Sequence, residues 1–184
     1  MNNLIKISKL NKSFEGLKKI NVLKSISYNF KKGKIYSLMG PSGSGKSTLL
    51  NLLSLIDRPT SGSITFENKK INYNDSNKND VLRANKIGII YQQDNLLPDF
   101  TSLENIYLAA LAVGNDEKVA VNKAKNLLKK VGLTNRSDHY PSQLSGGEKQ
   151  RISIARAVVN NPQVILADEP TGSLDLQTAK EIFV

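Results

Sequence analysis

The sequence predicts an α/β fold, and three observations carry that expectation. An apolar run, Lys34-Ile35-Tyr36-Ser37-Leu38-Met39, leads straight into Gly40-Pro41-Ser42-Gly43-Ser44-Gly45-Lys46-Ser47-Thr48, which fits the phosphate-loop pattern Gly-x-x-x-x-Gly-Lys-Ser. A second apolar run, Val164-Ile165-Leu166-Ala167, ends in the paired acids Asp168-Glu169. Along the chain, strand-like runs alternate with segments of helical period, the pattern of a mostly parallel sheet flanked by helices.

The elements follow in order. Residues 4–10 and 20–30 alternate apolar and polar and are bounded by Glu15-Gly16 and Lys32-Gly33, so they read as strands. Residues 34–39 read as a buried strand. A helix starts near Lys46, with Leu49, Leu50, Leu52, Leu53 and Ile56 on its apolar face and Pro59 beyond its end. Ser63–Phe66 is a strand, 72–80 a polar loop rich in Asn, and Lys86–Tyr91 a strand. Residues 102–113 and 116–131 read as helices. The second carries Val119, Ala120, Ala124, Leu127, Leu128 and Val131 at helical spacing, with Gly132 as its stop. A further helix begins after Ser145 and runs to about Asn160, and Asn161-Pro162 breaks the chain before the strand at 163–168.

Composition narrows the classes. A chain of 184 residues can bury a full core. With no cysteine it forms neither disulfides nor thiolate metal sites, as suits a reducing compartment. The N-terminus lacks a signal-peptide h-region, and no apolar stretch approaches the roughly 20 residues of a membrane span, so the chain is expected to be soluble by itself. The net charge of +10 raises nucleic acid as a partner, but the basic residues are scattered pairs such as Lys18-Lys19 and Lys129-Lys130. A solvated surface explains them, and no specific nucleic-acid partner is expected.

The motifs carry the chemistry. Glycines of the loop let backbone N–H groups converge on phosphate oxygens, and the helix N-terminus adds positive potential. Lys46 should reach the β- and γ-phosphates of ATP and the Ser47 hydroxyl should coordinate Mg²⁺. Asp168, at the end of a strand, suits a water-mediated Mg²⁺ contact, and Glu169 suits a general base polarising the attacking water. Downstream of the loop, Leu144-Ser145-Gly146-Gly147-Glu148-Lys149-Gln150-Arg151 contains a capping box, Ser145 with Glu148. A capped helix whose first turn is glycine exposes N–H groups to an anion.

That last run, between the phosphate loop and the acid pair, resembles the signature of the nucleotide-binding domains of ATP-binding cassette (ABC) transporters. The resemblance extends from about residue 4 to the C-terminus. It implies a P-loop ABC domain, spanning 1–184, with an antiparallel β subdomain from the N-terminal third and a helical subdomain at about 95–158. It implies ATP and Mg²⁺ as cofactors, with Gly40, Pro41, Ser42, Gly43, Ser44, Gly45, Lys46, Ser47 and Thr48 around the phosphates. Ser145, Gly146 and Gly147 would face the ATP of a second copy in a head-to-tail homodimer. Gln92 matches the Q-loop glutamine, which senses Mg²⁺ and γ-phosphate. Asp175, in Ser173-Leu174-Asp175, matches the D-loop at the dimer interface. Phe14 lies where the family stacks an aromatic on adenine; the lesser alternative is an apolar residue at a strand end.

Tyr91-Gln92-Gln93-Asp94-Asn95-Leu96-Leu97-Pro98-Asp99-Phe100-Thr101-Ser102-Leu103-Glu104-Asn105 and Val159-Asn160-Asn161-Pro162 resemble the ATP-binding subunits of lipoprotein-releasing (LolD-type) transporters. The macrolide-export and cell-division ATPases of the same branch remain alternatives, as does a soluble ABC ATPase acting on nucleic acid. The resemblance implies transmembrane permease partners and a peripheral place on the cytoplasmic face of the inner membrane. One departure stands out: the family's switch histidine follows a further strand beyond the D-loop, and the single histidine here is His139, upstream of the signature. The sequence is therefore expected to be a C-terminally shortened copy lacking the last strands, binding and hydrolysing ATP poorly.

Overall fold

The fold is that of a computed structural model, which describes residues 3–16 and 18–170. The chain divides into two compact units, 1–80 and 81–184.

The first unit is a four-stranded antiparallel sheet with one helix. Its strands are β1 (Asn3–Phe14), β2 (Ile20–Lys31), β3 (Ser61–Phe66) and β4 (Lys69–Lys70), in the order β2-β1-β3-β4, and its helix is α1 (Lys46–Leu53). β1 is central: Ile5 pairs with both Phe30 and Phe66, and Ile7 with Tyr28 and Ile64. Ile5, Ile7, Leu10, Leu52 and Ile64 are fully buried, each contributing about 1.5–3 kcal/mol by leaving water. The expected apolar face of α1 holds for Leu49, Leu52 and Leu53, but Ile56, beyond the helix end, is half exposed. Lys12 ties the end of β1 to the turn after α1, its ammonium 2.7 Å from Asp57 Oδ1 and 2.8 Å from the Arg58 carbonyl.

Two expectations fail in sequence order. Residues 34–39 are not a buried strand: they are irregular and exposed, with Ile35 wholly open to solvent. A strand exists only where ladder partners take its N–H and C=O groups, and among the described residues none pairs with this segment. Its anchor is instead Tyr36, whose ring packs edge-on against Tyr28 and Phe30 and whose hydroxyl accepts from the Lys31 backbone N–H at 2.9 Å. The polar stretch 72–80 is not all loop either. It contains the start of α2 (Ser76–Lys86), which runs across the boundary between the units and buries none of its residues. Such a helix has no apolar stripe to betray it. Its first turn is held locally by Asp75, which accepts from the Lys78 backbone at 3.1 Å and pairs with the Lys78 ammonium at 2.6 Å.

The second unit pairs β5 (Ile87–Ile90) with β6 (Val164–Ala167) in parallel, from Ile87 opposite Val164 to Ile90 opposite Ala167. Three helices pack together: α3 (Ser102–Leu111), α4 (Glu117–Lys130) and α5 (Gly146–Val158). Their shared core is Ile106 and Ala110 of α3, Ala120, Ala124 and Leu128 of α4, and Ile152 and Ala155 of α5. The alanines let the helices approach closely; Val119, expected on this face, lies half exposed. Gly88 of β5 lies against α5: a Cβ there would sit 2.5 Å from the Ala157 carbonyl oxygen, so only glycine fits. β6 is less buried than its apolar run predicts, since only Leu166 is enclosed and Ile165 is half exposed. Its one described ladder neighbour is β5. Among the described residues the parallel sheet is this pair alone, and the larger sheet is antiparallel.

Candidate functional site

The phosphate loop belongs to the first unit. α1 starts at Gly45, whose backbone is left-handed (φ 92°) and which offers no side-chain cap. A Cβ on Gly45 would lie 2.9 Å from Val22 Cγ1 and 3.0 Å from Leu23 Cδ2, so packing against β2 and the positive φ both demand glycine. The first-turn N–H groups of α1 are thus left for an anion, where the helix dipole favours negative charge. Lys46 folds over the loop, donating to the carbonyls of Gly40 at 3.0 Å and Pro41 at 3.1 Å. The Ser44 N–H closes the turn onto Pro41 at 3.2 Å. Ser42, Gly43 and Ser47 are exposed and Thr48 is half-buried. Phe14, at the end of β1, is half exposed, with the Lys12 ammonium 4.9 Å from its ring centre.

The acid pair belongs to the second unit. The Asp168 N–H extends the ladder by donating to the Ile90 carbonyl at 2.9 Å. Glu169 then takes φ 46°. A left-handed non-glycine residue costs about 1–2 kcal/mol, and such strain gathers at functional turns. This bend carries the carboxylate to Gln92, whose Nε2 donates to Glu169 Oε2 at 3.1 Å. The two residues expected to act on the γ-phosphate are therefore in contact, although 77 positions apart.

The signature run opens α5. The Ser145 hydroxyl accepts from the Glu148 N–H at 3.3 Å, and the Glu148 carboxylate accepts from the Ser145 N–H at 2.8 Å, so the expected capping box is complete. The other Glu148 oxygen accepts from Arg136 Nε at 2.8 Å. That guanidinium, with the Ser145 N–H, pulls the carboxyl down to about 2. Ser145 and Gly146 are exposed, Gly147 is half-buried, and a Cβ on Gly146 would meet open space. Asp175 of the D-loop segment lies outside the described residues.

Sequence reasoning missed Arg136, Gln150 and Arg156. Gln150, on the buried stripe of α5, donates from Nε2 to the Pro170 carbonyl at 2.8 Å and the Tyr91 carbonyl at 3.4 Å. Arg156 donates to the carbonyls of Asn95 and Asp94, each at 2.8 Å. The signal for Gln150 was a polar side chain at an apolar position, which is buried only when its bonds are met.

Comparison with known proteins decides the family. The family model described as ABC transporter matches residues 23–172. The chain belongs to the ABC transporter family. This ABC cassette is 40% identical to MJ0796, solved as a dimeric ATP-binding cassette in a post-hydrolysis state bound to ADP and Pi, with a TM-score of 0.90 over 97% of this chain and 79% of that one. A second structure, described as dimeric MJ0796, a bacterial ABC transporter cassette, is 42% identical with the same TM-score and coverage. CbiO1 from Clostridium perfringens, described as part of the ABC transporter complex CbiONQ, is 32% identical, with a TM-score of 0.81 over 99% of this chain and 71% of that one. The ABC cassette described here is thus an ATP-hydrolysing enzyme, the ATP-binding subunit of an ABC transporter. Among its described residues no helix is long and apolar enough to cross a membrane.

Proposed function

We propose that this ABC cassette works as a head-to-tail homodimer on transmembrane permease subunits, at the cytoplasmic face of the inner membrane, and that the complex releases lipoproteins. The observation that carries the catalytic part is the Gln92–Glu169 contact at 3.1 Å. Glu169 is the general base: it takes a proton as water attacks the γ-phosphorus, the bond to ADP breaks, and phosphate leaves. Gln92 positions that carboxylate and, from the same turn, senses the γ-phosphate. The loop from Gly40 to Thr48 cradles the phosphates through its N–H groups, with Lys46 turning from the Gly40 and Pro41 carbonyls to the β- and γ-oxygens. Phe14 offers an exposed ring for adenine.

The donor chemistry fits Mg²⁺. Ser47, Gln92 and Asp168 offer oxygen ligands, the type this hard ion takes. When bound, Mg²⁺ supplies charge neutralisation on the β- and γ-phosphates.

The dimer reading rests on the exposed glycine start of α5, with Ser145, Gly146 and Gly147 meeting the second copy's ATP and Asp175 crossing the interface. The dimeric state of MJ0796 and the membership of CbiO1 in a multi-subunit complex support it. Lipoprotein release rests on the resemblance of 91–105, whose Leu97 and Phe100 are exposed. We read 1–184 as one nucleotide-binding domain whose helical part is built from α3, α4 and α5.

Glu169→Gln should cut ATP turnover by about a hundredfold to ten-thousandfold while Mg-ATP still raises Tm. Turnover at the parental rate would remove Glu169 from the role of base. Affinity capture of the cassette from membranes tests the substrate class: recovery with a macrolide-export or cell-division membrane protein would replace the lipoprotein reading.

A further inference from the structure

The Gln92–Glu169 contact is closed into a ring by a third side chain, that of Gln150. Gln92 directly follows Tyr91, and Glu169 directly precedes Pro170. The side chains of the middle pair meet at 3.1 Å, and the carbonyls of the outer pair are both taken by Nε2 of Gln150, at 3.4 Å and 2.8 Å. One amide has two N–H donors, so a single side chain bridges the two strand exits. These exits are where β5 and β6 stop pairing, after Ile90 and Ala167, and where Glu169 adopts its left-handed turn. Among the described residues the backbone ladder ends with the Asp168 N–H on the Ile90 carbonyl, and side chains make the bonds beyond it. Gln150 is 2% exposed, so its bonds face no competition from water.

We propose that Gln150 is the positioning residue of the reaction: from the first turns of the signature helix it holds the Gln92 and Glu169 backbones at the spacing the general base needs. This rests on the reading of Glu169 as base. It also gives the signature run a second task within its own chain, because the helix whose exposed start is offered to a second copy is bonded, through its buried face, to the acid turn. Arg156 extends the brace along the same helix, holding the Asp94 and Asn95 carbonyls two and three residues past Gln92.

The test uses the full chain in steady-state Mg-ATP hydrolysis, with Gln150→Met as the variant, since methionine matches the volume and cannot donate. The expected result is a fall in kcat of about tenfold to a hundredfold with KM within about twofold, the size that misplacing a reacting group produces. In a Glu169→Gln background the same change should cost nothing further. Ser153→Ala removes another buried polar group of α5, a hydroxyl with no hydrogen-bond partner; it serves as the packing control and should keep the parental kcat. Losses that multiply in the double variant, or a kcat unchanged by Gln150→Met while Glu169→Gln is inactive, would overturn the positioning role and leave the base intact. A fully active Glu169→Gln would overturn both.

Discussion

Two helices of this cassette begin at glycine turns, and the turns are held in opposite ways. At α1 the cap is Gly45, left-handed and without a side-chain acceptor, and Lys46 of the same loop leans on the loop's own carbonyls. At α5 the cap is Ser145, a reciprocal box with Glu148 closes the turn, and Arg136 braces the carboxylate. Both starts carry positive potential. The bare start leaves its first N–H groups to water or a ligand, whereas the boxed start satisfies part of its own. On the proposed reading, phosphate completes the first and a second copy's ATP meets the second.

The largest effects are expected at α1. Gly45→Ala places a methyl 2.9 Å from Val22 Cγ1 at a positive φ, which should cost roughly 1–3 kcal/mol and abolish the rise in Tm that Mg-ATP gives. Lys46→Ala should weaken nucleotide binding by about tenfold to a hundredfold, the worth of a lost charge-assisted bond, and leave the apo Tm nearly unchanged. Calorimetric titration beside thermal unfolding checks both. A Gly45→Ala chain that keeps its stability and its response to ATP would show that the bare start is not required.

A smaller effect sharpens the comparison. α3 carries the same box as α5, with Thr101 and Glu104 exchanging bonds and the Thr101 N–H to Glu104 distance at 2.7 Å. Ser145→Ala and Thr101→Ala should each cost about 1 kcal/mol in urea unfolding. Only Ser145→Ala should also lower ATP turnover, because only that box presents glycines. Equal loss of turnover from both would reduce the signature turn to ordinary capping.

The smallest effect is the Arg136 brace. Arg136→Ala should cost under about 1 kcal/mol at neutral pH, as exposed ion pairs do. Its mark is in the pH profile. Glu148 is held at about 2 against an ordinary 4.5, so the unfolded chain binds the proton first. The stabilisation is complete above 4.5 and is lost as pH falls towards 2. The parental chain should therefore lose stability over that window more steeply than Arg136→Ala. Parallel profiles would exclude the brace.

What could be read without coordinates was whatever depends on neighbours in sequence. The Gly-Lys-Ser turn, the capping box at Ser145 and the amphipathic α4 are decided within one or two helical turns, and they lie where the pattern put them. α2 escaped because a helix with nothing buried has no period to read. The segment 34–39 misled because apolar residues announce a strand only when a ladder receives them. Gln150 and Arg156 were quoted or passed over, since their partners lie 20 and 59, and 61 and 62, positions away.

The family resemblance, the two glycine helix starts and the acid and amide expected at the γ-phosphate were legible in short motifs, each a run of neighbouring residues. Tertiary structure alone decided that Gln92 meets Glu169 and that a buried glutamine ties the turns carrying them. Those bonds join chain segments brought together by the parallel pairing of β5 and β6 and the packing of α5, and burial is what gives them their strength.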